Sequence, residues 1–216
     1  MALSTFSELK SAVANYLNRD DLTSVIPDFI TLTENRINRE LRARANVSRV
    51  TTTTTSGTDI YDVPADLIEL RSVSKVGTSS TTALSYVTPE SGTREYGGIV
   101  NGSPRAYSSL GKSIKIIPTP DAAYTIELIY YNKLNNLSDS VTTNNILSEF
   151  PSLYLYGACL EGAIFLNDSG EIQRFDSIFT RTLAEIQASE EKSRYGGNVM
   201  TMTVQGDPGS LVRRGS

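Results

Sequence analysis

A chain of 216 residues is long enough for one compact domain, or for a helical body carrying a smaller β insert. Its formal net charge of −4 and pI near 5.0 exclude a global basic field that would draw it onto nucleic acid. Cys159 is the sole cysteine and histidine is absent, which excludes an intramolecular disulfide, a cysteine-based zinc site and the usual hydrolase triad.

No stretch approaches the ~18 uninterrupted apolar residues of a membrane-spanning helix. The opening Met1-Ala2-Leu3-Ser4-Thr5-Phe6 has no basic segment before an apolar one, so no signal peptide is expected. The Asn-x-Ser triplets at Asn46, Asn136 and Asn167 then carry no glycosylation meaning, and the chain is expected to be made and kept in a cytoplasm.

Thr5-x-x-Glu8 is a capping-box pattern. Phe6, Leu9, Val13, Tyr16 and Leu17 follow at steps of three and four, predicting an amphipathic helix that ends near Asn18. Asp20-Asp21 and Thr23-Ser24 read as a turn. Pro27 suits the first turn of a second helix running to about Arg44, with Ile26, Phe29, Ile30, Ile37 and Leu41 as its apolar marks.

From Val47 the character changes, and residues 47 to about 135 are rich in Thr, Val, Ile and Tyr with frequent turn formers. About five or six short strands are expected there, as a small sandwich or barrel. Ser113-Ile114-Lys115-Ile116 and Tyr124 to Tyr131 both alternate, with Pro118-Thr119-Pro120-Asp121 between them, predicting a hairpin with a longer loop. Tyr61 to Asp66 reads as an extended segment leading into a turn.

Helix returns in the last third. Pro151 to about Leu166 is almost wholly apolar and belongs at the centre of the body, with Gly157, Ala158, Gly162 and Ala163 permitting close approach. Asp168-x-x-Glu171 repeats the capping logic, and Ile172, Phe175, Phe179, Leu183 and Ile186 form an apolar stripe to about Glu190.

The expected fold class is α+β: an antiparallel bundle of about four helices, an inserted small antiparallel β domain and an extended C-terminal tail. The divisions fall at 1–46 (N-terminal helices), 47–140 (β insert), 141–195 (C-terminal helices) and 196–216 (tail).

Ala106-Tyr107-Ser108-Ser109-Leu110-Gly111-Lys112-Ser113 fits a loose phosphate-loop pattern. That chemistry needs a helix after the loop, whereas Ile114 to Pro118 alternates and breaks at proline, so Gly111-Lys112 is read as a hairpin turn. Asp59, Asp62, Asp66 and Glu69 lack the spacing of a calcium loop and straddle a strand and a turn, so they are read as solvated acids. Cys159 sits in the apolar helix with no histidine to activate it and is read as a structural thiol. No catalytic residue, metal or cofactor is expected.

Arg36, Arg39, Arg42, Arg44 and Arg49 form a basic run along and beyond the second helix. One reading is a solvated face with Glu34 and Glu40 as local partners. The other is a strip for an acidic partner surface or passing DNA, with a protein partner ranked first because the chain is acidic overall. In the tail, Val199, Met200, Met202 and Val204 favour an extended strand. That segment is either a disordered terminus or a strand added to the sheet edge of another subunit.

Several phrases in fixed order resemble the head-to-tail adaptor (connector) family of tailed bacteriophages. They are Phe6-Ser7-Glu8-Leu9, Tyr61-x-Val63-Pro64-x-Asp66 and Gly102-Ser103-Pro104-Arg105-Ala106-Tyr107. Ile114 to Asp121 leading to Tyr124 to Tyr131 is the most distinctive, and Phe150 to Ala158 completes the set over about residues 4–190. The resemblance implies a non-enzymatic virion protein of the neck, commonly a dodecameric homo-oligomer ring between the portal protein and the tail tube or nozzle. Genomic DNA passes through such a ring without sequence-specific binding, no membrane is involved, and no active site carries over. Other readings are a different neck or tail-completion ring protein, or an envelope-acting hydrolase or carbohydrate-binding module using the β block.

Overall fold

A computed structural model describes residues 3–96 and 101–194. The chain opens with helices α1 (Phe6–Leu17) and α2 (Ile26–Glu40), then a single 3-10 turn at Arg44–Asn46. Strands follow: β1 (Val47–Thr53), β2 (Ile60–Asp62), β3 (Leu67–Val76), β4 (Thr81–Ala83) and β5 (Ser85–Tyr86). After helix α3 (Pro89–Tyr96) come β6 (Asn101–Gly102), β7 (Ala106–Leu110), β8 (Ser113–Ile117), β9 (Thr119–Pro120) and β10 (Thr125–Asn132). Helices α4 (Asn145–Glu149), α5 (Pro151–Phe165) and α6 (Ser169–Arg194) close the described chain. The class is α+β, as expected.

Local chemistry sets the helix ends. The Glu8 amide donates to Thr5 Oγ1 (3.3 Å) while the Glu8 carboxylate accepts from the Thr5 amide (3.0 Å), the reciprocal box foreseen from the sequence. Asn18 closes α1 in the left-handed region at φ 50°, which a short polar side chain tolerates. α2 stops at Glu40, short of the expected Arg44, because Leu41 turns extended and buries its side chain. The carbonyls freed there are taken by other groups: Arg42 donates to Asn38 O (2.9 Å), and Gln187 of α6 donates to Glu40 O (3.0 Å). At α6, Asp168 Oδ1 accepts from the Gly170 and Glu171 amides (3.1 and 3.2 Å).

α5 lies at the centre and packs against α1, α2, α4 and α6. Gly157 abuts Thr33 and Phe179, and Gly162 abuts Leu17 and Phe29; a Cβ at either place would collide with its neighbour. Leu9, Val13, Ile26, Ile30, Ile37, Tyr154, Cys159, Phe175 and Phe179 all belong to one buried cluster. Tyr16, read from its spacing as an apolar mark of α1, is instead half exposed and meets Tyr156 edge-on.

The strands form two four-stranded sheets, ordered β1-β10-β3-β4 and β2-β8-β7-β5, with a short β6-β9 pair. Their inward residues, among them Val73, Ile126 and Leu128 from the first and Tyr107, Ile114 and Ile116 from the second, meet in a separate apolar cluster. Three expectations are corrected here. The described strands outnumber those expected, because pairs as short as Ser85–Tyr86 carry no periodic signal. The sheets are not purely antiparallel: β5–β7 and β6–β9 are parallel.

The third correction concerns β8 and β10, which are not a hairpin. β8 pairs with β7 and β2, whereas β10 lies between β1 and β3 in the other sheet. Pro118 and Pro120 offer no N–H to a ladder, so the intervening segment serves as a crossing between sheets instead of a turn within one.

Candidate interaction surfaces

The arginine run does not make one strip. Arg36, on α2, pairs with Glu161 of α5 (3.0 Å), and its guanidinium lies 5.6 Å from the Phe179 ring centre. Arg42 reaches Glu69 on β3 (2.9 Å), and Arg44 reaches Glu190 on α6 through both its backbone N–H (2.8 Å) and its Nε (3.2 Å). Arg49 pairs with Glu127 across β1 and β10. Because α2 ends at Glu40, Arg42 and Arg44 leave its face: Arg42 ties the end of α2 to the β region, and Arg44 ties the 3-10 turn to α6. Arg39 alone of the five is exposed on α2 and has no ion pair among the described residues.

The local-partner reading of Glu34 is corrected too. Glu34 is fully buried on the core side of α2, where Oε1 accepts from the Leu137 amide (2.8 Å) and from the Tyr154 hydroxyl (3.3 Å). Burial pushes its carboxyl up to about 7, against the smaller opposing pull of those hydrogen bonds and of Lys133. One turn on, Asn38 Oδ1 accepts from the Leu134 amide (3.0 Å). Tyr154 is raised well above a normal tyrosine, first by burial and then by Glu34, and its oxygen accepts from Asn144 Nδ2 (2.7 Å). Asn144 also caps α4 through the Leu147 amide (2.9 Å). These groups fasten the segment leaving β10 onto α2 and α5.

Sequence reasoning missed this network, yet a signal was present. Glu34 falls in phase with Ile26, Ile30, Ile37 and Leu41, so a carboxylate sits where the helical period demands an apolar residue.

Beside that network lies an open cleft of about 510 Å³, with Leu32, Asn35, Arg36 and Arg39 on one wall and Ile68 and Lys133 on the other. Among its lining charges, Arg36 is matched by Glu161, leaving Arg39 and Lys133 in excess.

The remaining sequence candidates separate. Residues 106–113 form the β7–β8 hairpin, with Leu110 opposite Ser113 and Gly111 at φ 62° in a two-residue turn, so a strand follows Lys112. Asp59 faces Lys115 (3.5 Å), Asp62 accepts from Ser113 (2.9 Å), Asp66 from Tyr130 (3.2 Å), and Glu69 holds Arg42. Four different partners hold the four acids apart. Cys159 is buried in α5, and burial pushes its thiol up to about 12, the wrong direction for a nucleophile. Around the C-terminal ends of α1 and α5, Tyr16, Ile164 and Phe165 are exposed. Val199, Met200, Met202 and Val204 lie outside the described residues.

No described helix is long and apolar enough to cross a membrane. Compared with known proteins, residues 4–202 match a family model described as SU10 adaptor protein. The match runs past the end of the resemblance read from sequence and takes in Val199, Met200 and Met202 of the tail, though not Val204. No curated protein matches the chain.

Proposed function

The chain belongs to the SU10 adaptor protein family of phages, and from that premise we propose that it is the head-to-tail adaptor of a tailed-phage virion, a structural subunit and not an enzyme. In this reading copies close into a dodecameric ring in the neck, assembled in the host cytoplasm, which joins the portal to the tail tube or nozzle. The genome passes through the lumen without sequence-specific contacts. The observation that carries the reading is the family match over residues 4–202, which spans the helical and the β regions together.

Two features support it. A net charge of −4 suits a duct, because a lumen of like charge to the phosphates does not grip a passing duplex. Exposed Tyr16, Ile164 and Phe165 form the kind of apolar surface that an adjoining subunit covers.

Within this reading residues 1–46 and 141–195 supply a bundle of about four helices, 47–140 an inserted β domain, and 196–216 an assembly tail. Val199, Met200, Met202 and Val204 would add as a strand to an exposed sheet edge on the portal or on a neighbouring copy. Arg36, Arg39, Arg42 and Arg44 divide between contacts inside the subunit and contacts with a partner.

The test is light-scattering mass and electron microscopy of the purified chain, alone and mixed with its portal. Rings seated on portals are expected. Failure of any ring to form on the portal would overturn the adaptor reading. A chain truncated after Tyr195 should stay folded yet dock weakly or not at all, and if it assembled as well as the full chain the tail would have no such role.

A further inference from the structure

Arg39 and Lys133 face one cleft from opposite regions of the fold, α2 on one side and the segment leaving β10 on the other. Arg39 has no hydrogen-bonded or ion-paired acid among the described residues. Lys133 uses only its backbone, giving its N–H to Asp66 O (2.6 Å) and accepting from Asn132 Nδ2 (3.2 Å), so its ammonium has no hydrogen bond or ion pair among the described residues. Each neighbouring arginine on the run is matched by an acid: Arg36 by Glu161, Arg42 by Glu69, Arg44 by Glu190. Along this run all the other arginines are paired, and the protein is acidic overall, so two cations are left together at one concavity. Glu34 feels the Lys133 charge but is fully buried, so it presents no carboxylate to the cleft, and burial disfavours its charged form.

We infer that this cleft is a docking site for an acidic segment of a partner subunit, in which two carboxylates meet Arg39 and Lys133 while an apolar side chain between them covers Leu32 and Ile68. Charge complementarity argues for the anion, and the apolar walls argue for a peptide over a nucleic acid. Leu32 is half exposed at the rim, where a phosphodiester backbone has nothing to place against it. Glu161 beside Arg36 adds a negative charge that a line of phosphates would have to pass. A peptide chooses the spacing of its carboxylates; a duplex does not. Arg36, held between Glu161 and the Phe179 ring, keeps the α2 wall rigid without being spent on the ligand.

The inference rests on the assembly reading only for the identity of the partner, and its test needs no portal. The probe is a fluorescein-labelled peptide with a Glu-Leu-Glu core, titrated with the full chain and followed by anisotropy. Saturable binding that weakens with salt is expected. It should fall by about tenfold or more in the Arg39→Glu/Lys133→Glu double variant and stay unchanged in Lys112→Glu, whose charge sits on the distant hairpin turn. Both reversed side chains are exposed, so the fold survives, which circular dichroism checks.

Absence of saturable binding, or equal binding by the double variant, would overturn the inference. So would a short DNA duplex that displaces the probe as well as the unlabelled peptide does. A chain that binds the peptide yet forms no ring on portals would break the assembly reading and leave this one standing.

Discussion

The helical core and the β core are stabilised by different means. The helical cluster draws on segments far apart in sequence, with Leu9, Ile30, Tyr154 and Phe179 meeting around α5. Buried polar groups run through it: Thr33 donates to Phe29 O (2.9 Å), and Glu34 holds Leu137 and Tyr154. The β cluster is apolar and aromatic; β3–β4 and β7–β8 pair across short turns, whereas β10 takes both of its neighbours, β1 and β3, from much earlier in the chain. Apolar burial alone tolerates alternative packings, whereas a buried carboxylate is satisfied in one arrangement only. Glu34 and Asn38 accordingly hold the 134–137 segment and Tyr154 in place against α2, while the sheets are aligned by ladders.

The largest test of that contrast removes a helical ring. Phe175→Ala or Phe179→Ala, each at a site no more than 2% exposed, should cost about 3–5 kcal/mol in denaturant unfolding. A small loss would mean that the stripe on α6 is not the stabilising core.

Next comes the buried carboxyl. Folding raises Glu34 from 4.5 to about 7, so the folded state holds its proton more tightly than the unfolded chain does. Its stabilising contribution is full below about pH 4.5, fades as pH rises through about 7 and is then gone, a change of about 3 kcal/mol. Glu34→Gln keeps an acceptor for Leu137 and Tyr154 but cannot ionise. The stability of the variant relative to the parent should therefore climb by about that amount between pH 4 and pH 8. A pH-independent difference would show that burial does not control this group.

The smallest effect belongs to the edge of the β region. Thr52→Ala and Thr53→Ala on the edge strand β1 should change stability by no more than about 0.5 kcal/mol. Losses matching those on α6 would erase the distinction between the two cores.

Much of the helical region was legible because its signals are local and periodic. Thr5 with Glu8, the apolar run from Pro151, and the spacing of Phe175, Phe179, Leu183 and Ile186 each reported one element without reference to any other. α4, five residues long, is too short to show a helical period and is specified by the Asn144 cap and by Ile146 and Leu147 underneath. Strand partners were not legible. The alternation from Tyr124 to Tyr131 says that a strand exists, but β10 is buried along most of its length between β1 and β3, and nothing local names those neighbours. Glu127 misleads in the same way, since its place in the pattern suggests solvent while Arg49 covers it.

The pairing sites were hidden for a related reason. The basic run reads as one feature in the sequence, yet the acids that divide it, Glu69, Glu127, Glu161 and Glu190, come from four distant elements. What remains of the run after that division is Arg39, which lines one cleft with Lys133.

The register of β1 and β10 sets Val47 opposite Tyr131, so the two chain crossings between the helical and β regions leave side by side from one end of one antiparallel pair. In mechanical terms the β region hangs from the helices on two covalent tethers loaded in parallel. Tension between the regions runs along both backbones at once and does not drive β1 to slide past β10, so their ladder bears no shear. The first links to give under load are side-chain ties between the regions such as Arg42 with Glu69 (2.9 Å). A pull strong enough to break them would let the β region swing while the strands themselves stayed whole.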